Sequence, residues 1–286
     1  MKKLIIILLS VLLVGTGPLL CLEIVLAGTV PAKPRYICLA PSTTEILFAL
    51  GLDEEIIGVS SYCNYPDKAK TKNKVGDFSR PNIEKILSLK PDYIFCTGLK
   101  QAAAVTELRR LNLKVYVSDP INMKELFGSI RDMGKITGRE KEAEYLIKDM
   151  ESQIEKVASQ VKLVPLNKKP KVFIEIWNEP LMTAGGGSFI DELLALAGGI
   201  NIASDTRQAY SIFSAEEVIK RNPDCIILTY MARERPLKLI GERFGWKEIS
   251  AVKNNRLYND INSDILLRPG PRIVEGLKEI YKKLYP

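Results

Sequence analysis

Two copies of a helix–strand string stand on either side of a long amphipathic segment, and this repeat limits the fold more than any other feature. Residues 84–97 (EKILSLKPDYIFCT) align with residues 216–229 (EEVIKRNPDCIILT), and each string is typical of a helix that ends at Pro-Asp before an apolar strand. A weaker match in the same order pairs residues 45–51 with residues 192–198. Short strings can recur by chance in α/β proteins, but the common order favours two copies of one α/β unit.

The segment between the copies predicts a single long helix. Residues 139–163 carry apolar side chains at spacings of three and four from Ala143 to Val161, which form one stripe along a helix. We therefore predict an α/β fold of two similar lobes with central sheets: residues 35–138, the bridging helix 139–163, and residues 170–286. A ligand cleft is expected between the lobes, because small-molecule sites favour domain interfaces.

The N-terminus predicts export. Two lysines precede the apolar run 4–14, which is typical of a secretory signal that would be removed as residues 1–27. The stretch 4–22 is also about long enough to serve as an uncleaved membrane anchor. A lipid anchor on Cys21 is the third alternative, although Leu20 stands where a lipobox normally has a small residue. Each alternative predicts a periplasmic or extracytoplasmic body, secreted or tethered at the outer face of the cytoplasmic membrane.

Composition disfavours several function classes. The sequence contains no histidine, which excludes Ser-His-Asp and Cys-His catalysis and any histidine-ligated metal site. The formal charge of +7 is dispersed along the chain, so nucleic-acid binding is not predicted. We predict no catalytic residue, no metal site and no cofactor, and an exported enzyme is the less favoured reading.

Cysteines and glycines give weaker indications. Cys38, Cys96 and Cys225 lie in apolar strand-like runs and are expected to be buried, whereas Cys63 lies in a polar loop and is expected to be exposed. Export permits disulfides, but the sequence assigns no pair. The run 185–188 (GGGS) could bind an anion, yet it lacks the P-loop lysine, so a flexible strand-to-helix turn is favoured.

Three aromatic residues lie in predicted loops at the ends of α/β units. They are Tyr62, Phe78 and Tyr210, and the last two each precede a paired glutamate, Glu84 or Glu216, by six residues. Local packing would explain any one of them alone. Their equivalent placement in both halves favours a shared cleft lining, because loops at such positions carry binding function.

Four stretches resemble the cobalamin-binding proteins of ABC importers, which belong to the helical-backbone class of solute-binding proteins. The stretches are YICLAPSTTEILFALG (36–51), GVSSYCNYP (58–66), PNIEKILSLKPD (81–92) and SDILLRPGPRI (263–273). The resemblance extends over residues 35–286 and implies two lobes bridged by a long helix, with the ligand in the cleft. It also implies a partner, an importer permease with its cytoplasmic ATPase.

The resemblance assigns roles to individual residues. Tyr62 corresponds to a corrinoid-contacting tyrosine, and Phe78 and Tyr210 occupy the places of aromatic cleft residues. Glu84 and Glu216 match two surface glutamates, one per lobe, that dock onto permease arginines. A ligand-contact segment is matched by Asp264, Ile265, Leu266, Leu267 and Arg268.

The expected ligand is cobalamin or a related corrinoid, as cargo. Ile265 and Leu266 replace aromatic residues of the family, so a ferric siderophore or haem is the alternative within the class. A corrinoid brings its own lower ligand, whereas haem would need an axial side chain other than histidine. Arg268 is the one basic residue among the matched positions, while siderophore sites usually have several. An enzyme or a membrane-anchored sensor using the same cleft is the alternative of a different class.

Overall fold

The structure is a computed structural model that describes residues 32–98, 101–230 and 237–286. The chain divides into two units, residues 1–33 and residues 34–286, and the second contains all the helices and strands described below. The predicted signal or anchor over residues 1–27 and the lipid anchor at Cys21 lie outside the described residues.

The N-terminal lobe has a five-stranded sheet in the order β3-β2-β1-β4-β5, and all of its pairings are parallel. Helices follow the strands, as the alternating sequence pattern predicts. The elements are β1 (Tyr36–Cys38), α1 (Pro41–Ala49), β2 (Ile56–Val59), α2 (Asp67–Thr71), β3 (Asn73–Lys74), α3 (Ile83–Ser88), β4 (Tyr93–Cys96), α4 (Ala102–Arg110), β5 (Val115–Val117) and α5 (Met123–Thr137).

The bridging helix is α6 (Glu140–Lys162), one residue inside the predicted bounds at each end. Its apolar stripe is buried and packs against α5 of the N-terminal lobe and the last helix of the C-terminal lobe. Buried residues of both lobes and of α6 join in one hydrophobic cluster, so the lobes share a core at the bridge.

The C-terminal lobe contains a second sheet in the order β11-β10-β6-β7-β9, with β8 paired to the start of β6. Strands β6, β8, β10 and β11 pair in parallel, whereas β7 and β9 are antiparallel additions. The elements are β6 (Lys171–Asn178), β7 (Leu181–Ala184), α7 (Phe189–Leu196), β8 (Ile200–Asn201), β9 (Tyr210–Ile212), α8 (Ala215–Arg221), β10 (Cys225–Leu228), α9 (Leu237–Gly241), α10 (Ser250–Lys253), β11 (Leu257–Tyr258), α11 (Asp264–Leu267) and α12 (Ile273–Leu284).

The repeated string folds alike in both lobes. Asn82 and Ser214 cap α3 and α8, and each side chain accepts a hydrogen bond from a backbone N–H three residues on. After each helix one residue adopts a left-handed conformation, Lys90 at φ 47° and Asn222 at φ 45°, just before the Pro-Asp pair. The two-lobe α/β prediction is confirmed.

The aspartate of each Pro-Asp pair also forms hydrogen bonds with the backbone at the start of the neighbouring strand. The Asp92 carboxylate accepts a hydrogen bond of 2.8 Å from Arg35 N–H, next to β1, and Asp92 N–H donates back to Arg35 O at 2.8 Å. Asp224 and Lys171, at the start of β6, make the same two bonds at the same distances. The repeat therefore preserves a clamp between neighbouring strands.

Helix α1 differs from the sequence expectation at its start. The string Ser42-Thr43-Thr44-Glu45 matches a capping box, but the N-cap is Ala40 and no side chain caps the helix. Pro41 occupies the first helical position, where its fixed φ suits the helix, so the helix begins two residues earlier than a cap at Ser42 would place it. Glu45 is thereby free for a different contact.

Candidate functional site

A cavity of about 450 Å³ lies between the two lobes, at the carboxyl ends of β1 and β4. Its volume is within the range of small-molecule sites. The lining residues are Ala40, Pro41, Ser42, Tyr62, Asp77, Phe78, Ser79, Arg80, Thr97, Ser263, Asp264, Leu267, Arg268 and Pro269.

Aromatic side chains form the N-terminal wall of the cavity. The rings of Tyr62 and Phe78 meet edge to face, with centroids 6.5 Å apart and an interplanar angle of 74°. Tyr62 is 51% exposed, so its ring is available to a ligand. The buried amide of Gln101 donates to Phe78 O at 2.7 Å and to Leu39 O at 2.9 Å, which ties the Phe78 loop to the end of β1.

A hydrogen-bonded triad joins the two lobes at the other wall. Arg268 pairs with Asp264 at 2.7 Å and donates to the Asn64 side-chain oxygen at 2.6 Å. The Asn64 amide in turn donates to Asp264 at 3.0 Å. Burial lowers the pKa of Arg268, against the opposing effect of Asp264. The guanidinium predicted to meet the ligand thus already has two partners within the protein.

A buried ion pair makes a second link between the lobes. Arg272, the N-cap of α12, donates to both Glu45 oxygens at 2.8 and 2.6 Å, and its guanidinium lies 3.9 Å from the Tyr65 ring centroid. Burial raises the pKa of the Glu45 carboxyl, while the hydrogen bonds from Arg272 act in the opposite direction. The same pairing raises the pKa of Arg272.

Glu192 is the residue equivalent to Glu45 in the repeat, and it also forms a hydrogen bond with the other lobe. Its carboxylate accepts a hydrogen bond of 2.8 Å from the N–H of Met123, the first residue of α5. In each direction, a glutamate from the first helix of one lobe binds the start of the last helix of the other. Neither link was predicted from the sequence, although each glutamate is the first residue of the weaker repeat match.

Two residues of the predicted contact segment do not line the cavity. Ile265 and Leu266 are 7% and 1% exposed and belong to the hydrophobic core, so that part of the prediction is corrected. Residues 264–267 form the short helix α11, whose turn directs Asp264 and Leu267 to one side and these two to the other.

Tyr210 lies apart from the cavity lining. It is on the antiparallel edge strand β9 rather than in a loop, and about half of it is exposed. Tyr62, Phe78, Asp264, Leu267 and Arg268 are therefore brought together by the structure, whereas Tyr210 is not among them. Its contact with a ligand remains a prediction.

Four residues of the cleft wall were not predicted from the sequence. Asp77, Ser79 and Arg80 line the cavity from the loop that carries Phe78, and Thr97 does so from the end of β4. Their proximity to Phe78 in the sequence was the available signal. Arg80 adds a second basic residue to the cleft.

The two glutamates assigned to docking hold equivalent positions. Glu84 and Glu216 are exposed in the first turns of α3 and α8. A hydrogen bond from the Ser214 hydroxyl lowers the pKa of Glu216, which keeps that carboxylate charged. Their contact with a permease remains a prediction.

Cys63 is buried, contrary to expectation. It is 1% exposed, and its thiol lies 3.1 Å from the Thr44 hydroxyl and 3.2 Å from that of Ser60. Burial raises its pKa, so the thiol stays protonated. Cys38, Cys96 and Cys225 are buried as predicted, and all four of these cysteines are free thiols.

The glycine run 185–187 forms the turn between β7 and α7, and Ser188 caps the helix. Close packing requires two of its glycines, since a Cβ would lie 1.8 Å from the Thr206 hydroxyl at Gly185 and 2.1 Å from Ser204 O at Gly186, whereas Gly187 has open space around it and adopts φ +75°. Within the described ranges there is no cluster of three or more metal-ligating side chains, and no helix has the length and apolarity to cross a membrane.

Comparison with known proteins gives a consistent family. The family model described as periplasmic binding protein matches residues 37–262. The ABC transporter substrate-binding lipoprotein YvrC of Bacillus subtilis is 34% identical, over 90% of this chain and 82% of its own length.

Similar proteins of known structure support the same family. A possible iron-binding (periplasmic solute-binding) protein of Staphylococcus epidermidis superposes with a TM-score of 0.79 at 33% identity, over 88% of this chain and 98% of that one. The vitamin B12-binding protein BtuF of Vibrio cholerae gives 0.73 at 28% identity, over 87% and 96%. With its two lobes, bridging helix and interlobe cavity, the chain belongs to the periplasmic binding protein family, as an extracytoplasmic substrate-binding protein of the ABC transporter type.

Proposed function

We propose that the chain binds cobalamin or a related corrinoid in the interlobe cavity and delivers it to an importer permease. The observation that carries the proposal is the edge-to-face pair of Tyr62 and Phe78 on a cavity whose rim also offers polar groups. Aromatic faces suit a flat, amphipathic macrocycle, and polar groups at the rim suit its amide side chains. The similarity to the Vibrio vitamin B12-binding protein supports the same ligand class.

We infer that the ligand is released unchanged. The hydroxyls that line the cavity belong to Ser42, Ser79, Ser263 and Thr97, as well as the Tyr62 phenol. A serine or threonine needs an adjacent base to act as a nucleophile, and the sequence has no histidine to supply one. Recovery of chemically intact ligand after long incubation with the protein tests this, and a modified product would contradict it.

An iron-containing ligand, haem or a ferric siderophore, is the second candidate. Tyr62 is an exposed phenol in the cavity, and tyrosine can serve as an axial ligand of haem iron. The Staphylococcus structure described as possibly iron-binding is similar to this chain at 33% identity, which favours the same test.

Calorimetric titration of the protein with cobalamin, haem and a ferric siderophore distinguishes these candidates. Cobalamin should bind, and Tyr62→Ala should weaken that binding about fivefold, because a stacked aromatic contact contributes on the order of 1 kcal/mol. Tyr145→Ala is the matched control, since Tyr145 is an exposed tyrosine on α6 outside the cavity. Binding of haem or siderophore with no response to cobalamin would refute the corrinoid assignment.

The partner is proposed to be a permease contacted by Glu84 and Glu216. Attachment to the membrane is a separate question, because cleavage after Ala27 would release the protein whereas lipidation of Cys21 would tether it. The Bacillus relative is a lipoprotein, which makes the second route worth testing. Mass spectrometry of the mature N-terminus separates the two, as a diacylated cysteine and an N-terminus at Gly28 differ in mass.

A further inference from the structure

Two arginines in the described ranges line the cavity, Arg80 and Arg268, and they differ in their contacts. Arg268 is partly buried and is held by Asp264 and Asn64. Arg80 is exposed, lines the same cavity, and makes no hydrogen bond or ion pair with any residue in the described ranges. Its positive charge therefore faces the cleft without a partner among the described residues.

The loop that carries Arg80 is held closed at its base. Gly76 adopts φ +108°, and a Cβ there would lie 2.6 Å from Asn82 N, so glycine is required. Across the base, Asn82 N–H donates to Val75 O at 2.8 Å, and Ser61 N–H donates to Gly76 O at 2.9 Å. The backbone on both sides of Arg80 is thus fixed.

Contacts inside the loop fix its tip as well. Ser79 N–H donates to the Asp77 carboxylate at 2.7 Å, and the Gln101 amide anchors Phe78 O. These contacts order the loop without a hydrogen bond or ion pair from the Arg80 side chain to any described residue. A cation on a preformed loop binds a ligand with less loss of conformational entropy than one on a mobile loop.

Two described carboxylates line the cavity, those of Asp77 and Asp264, and neither forms an ion pair with Arg80. Asp264 is paired with Arg268, and Asp77 accepts the Ser79 N–H while making no ion pair with Arg80. A guanidinium matches the oxygens of a phosphate with two parallel hydrogen bonds. The available partner for Arg80 is therefore an anionic group on the bound molecule.

We infer that Arg80 is a specificity residue that binds a phosphate group of the captured corrinoid. This rests on the proposed function and refines it to corrinoids that retain the phosphodiester linking the macrocycle to its nucleotide. Cobalamin has this phosphate and cobinamide, which ends before it, does not. Arg80 discriminates between the two, whereas Tyr62 and Phe78 contact the macrocycle that both share.

The test is a titration of wild type and Arg80→Gln with cobalamin and with cobinamide. We expect the substitution to weaken cobalamin binding about tenfold, the equivalent of about 1.4 kcal/mol, and to leave cobinamide binding within about twofold, as phosphate pairing is lost for one ligand only. Added salt should weaken cobalamin binding to wild type more than to the variant. Arg110→Gln, an exposed arginine at the end of α4, is the control for loss of one charge.

The outcomes separate the two ideas. If wild type binds both corrinoids and the ratio of cobalamin to cobinamide affinity is the same in Arg80→Gln, the role of Arg80 is overturned. The proposed function then still stands. A wild type that binds neither corrinoid overturns both. Arg80→Lys is a control for misfolding, because it retains the charge but lacks the planar guanidinium. Its cobalamin affinity should lie between those of wild type and Arg80→Gln. Equal losses of affinity for both corrinoids in both variants would also overturn the inference.

Discussion

In the N-terminal lobe every strand pairs in parallel, whereas in the C-terminal lobe β7 and β9 add an antiparallel ribbon beside β6. Trp177, Met182 and Ile212 are in register across this ribbon, and Ile212 is 70% exposed. On the corresponding side of the N-terminal lobe, β1 is followed by the parallel strands β2 and β3, and the polar loop with Phe78 and Arg80 comes after β3. The lobes thus share their central strands and clamps but differ at the edges, which is where loops and added strands can adapt to a ligand.

The two links between the lobes are also equivalent in position but different in their chemical partners. Glu45 and Glu192 occupy equivalent helix positions, and each binds the start of the last helix of the other lobe. Glu45 is buried against a guanidinium, whereas Glu192 is half-buried against a backbone N–H. Because the two glutamates have equivalent positions but different partners, we expect the two links to contribute unequally to the free energy of unfolding. Mutation of each link can measure this difference.

The largest effect is expected from Arg272→Met. This removes the partner of a buried carboxylate and should lower the free energy of unfolding by about 3 kcal/mol at neutral pH. With Arg272 removed, burial still raises the pKa of Glu45, but the hydrogen bonds that oppose this shift are lost. The folded variant therefore retains a proton on Glu45 at pH values where the unfolded chain has lost it, and its stability falls as pH rises through that range. The defect should therefore shrink as the pH is lowered toward the ordinary pKa of glutamate, which denaturant unfolding at several pH values measures.

Glu192→Gln is the matched comparison. The amide oxygen can still accept the Met123 N–H, so we expect a loss of no more than about 1 kcal/mol with little dependence on pH. A loss as large as that of Arg272→Met would show that the two links are energetically alike and would remove the contrast between the lobes. Restored stability in the double variant Glu45→Leu/Arg272→Met would attribute the larger loss to the unpaired carboxylate.

The strand clamps should behave alike in both lobes. Asp92→Ala and Asp224→Ala each remove one carboxylate hydrogen bond to a backbone N–H, and each should cost about 1 kcal/mol. Asp→Asn at the same positions retains an acceptor oxygen and should cost less. Thermal unfolding of the four variants measures this, and a clearly larger loss at either position would show that the repeat is not energetically symmetric.

The smallest effect on the isolated protein is expected at Glu84 and Glu216. Both side chains are exposed, so Glu84→Lys and Glu216→Lys should leave stability and ligand affinity unchanged within error. Transport into cells should fall for each variant if both lobes dock on the permease, because like charges at a rim oppose association. Lys85→Glu and Lys220→Glu, exposed neighbours on the same helices, serve as charge-reversal controls. Unimpaired uptake, or lost ligand affinity, would contradict the docking role.

Most of the helices and strands could be predicted because their signals are local. The two strings of the repeat fold into a helix and a strand as predicted, α3 with β4 and α8 with β10, and α6 differs from its predicted bounds by one residue at each end. The antiparallel ribbon was not predicted, since β7 and β9 are short and gain their strand conformation from pairing with β6. For the same reason Tyr210 was expected in a loop and is found on an edge strand.

The sequence by itself determined that there are two similar lobes, that one long helix bridges them, and that Tyr62 and Phe78 lie on the cleft. These features follow from periodicity, the internal repeat and the conformations of short segments. Only the tertiary structure decided which arginine is available in the cleft. Arg268 is held by Asn64, 204 residues away in the chain, whereas no residue in the described ranges holds Arg80. The pairing of charged side chains depends on the relative placement of distant segments and not on local sequence.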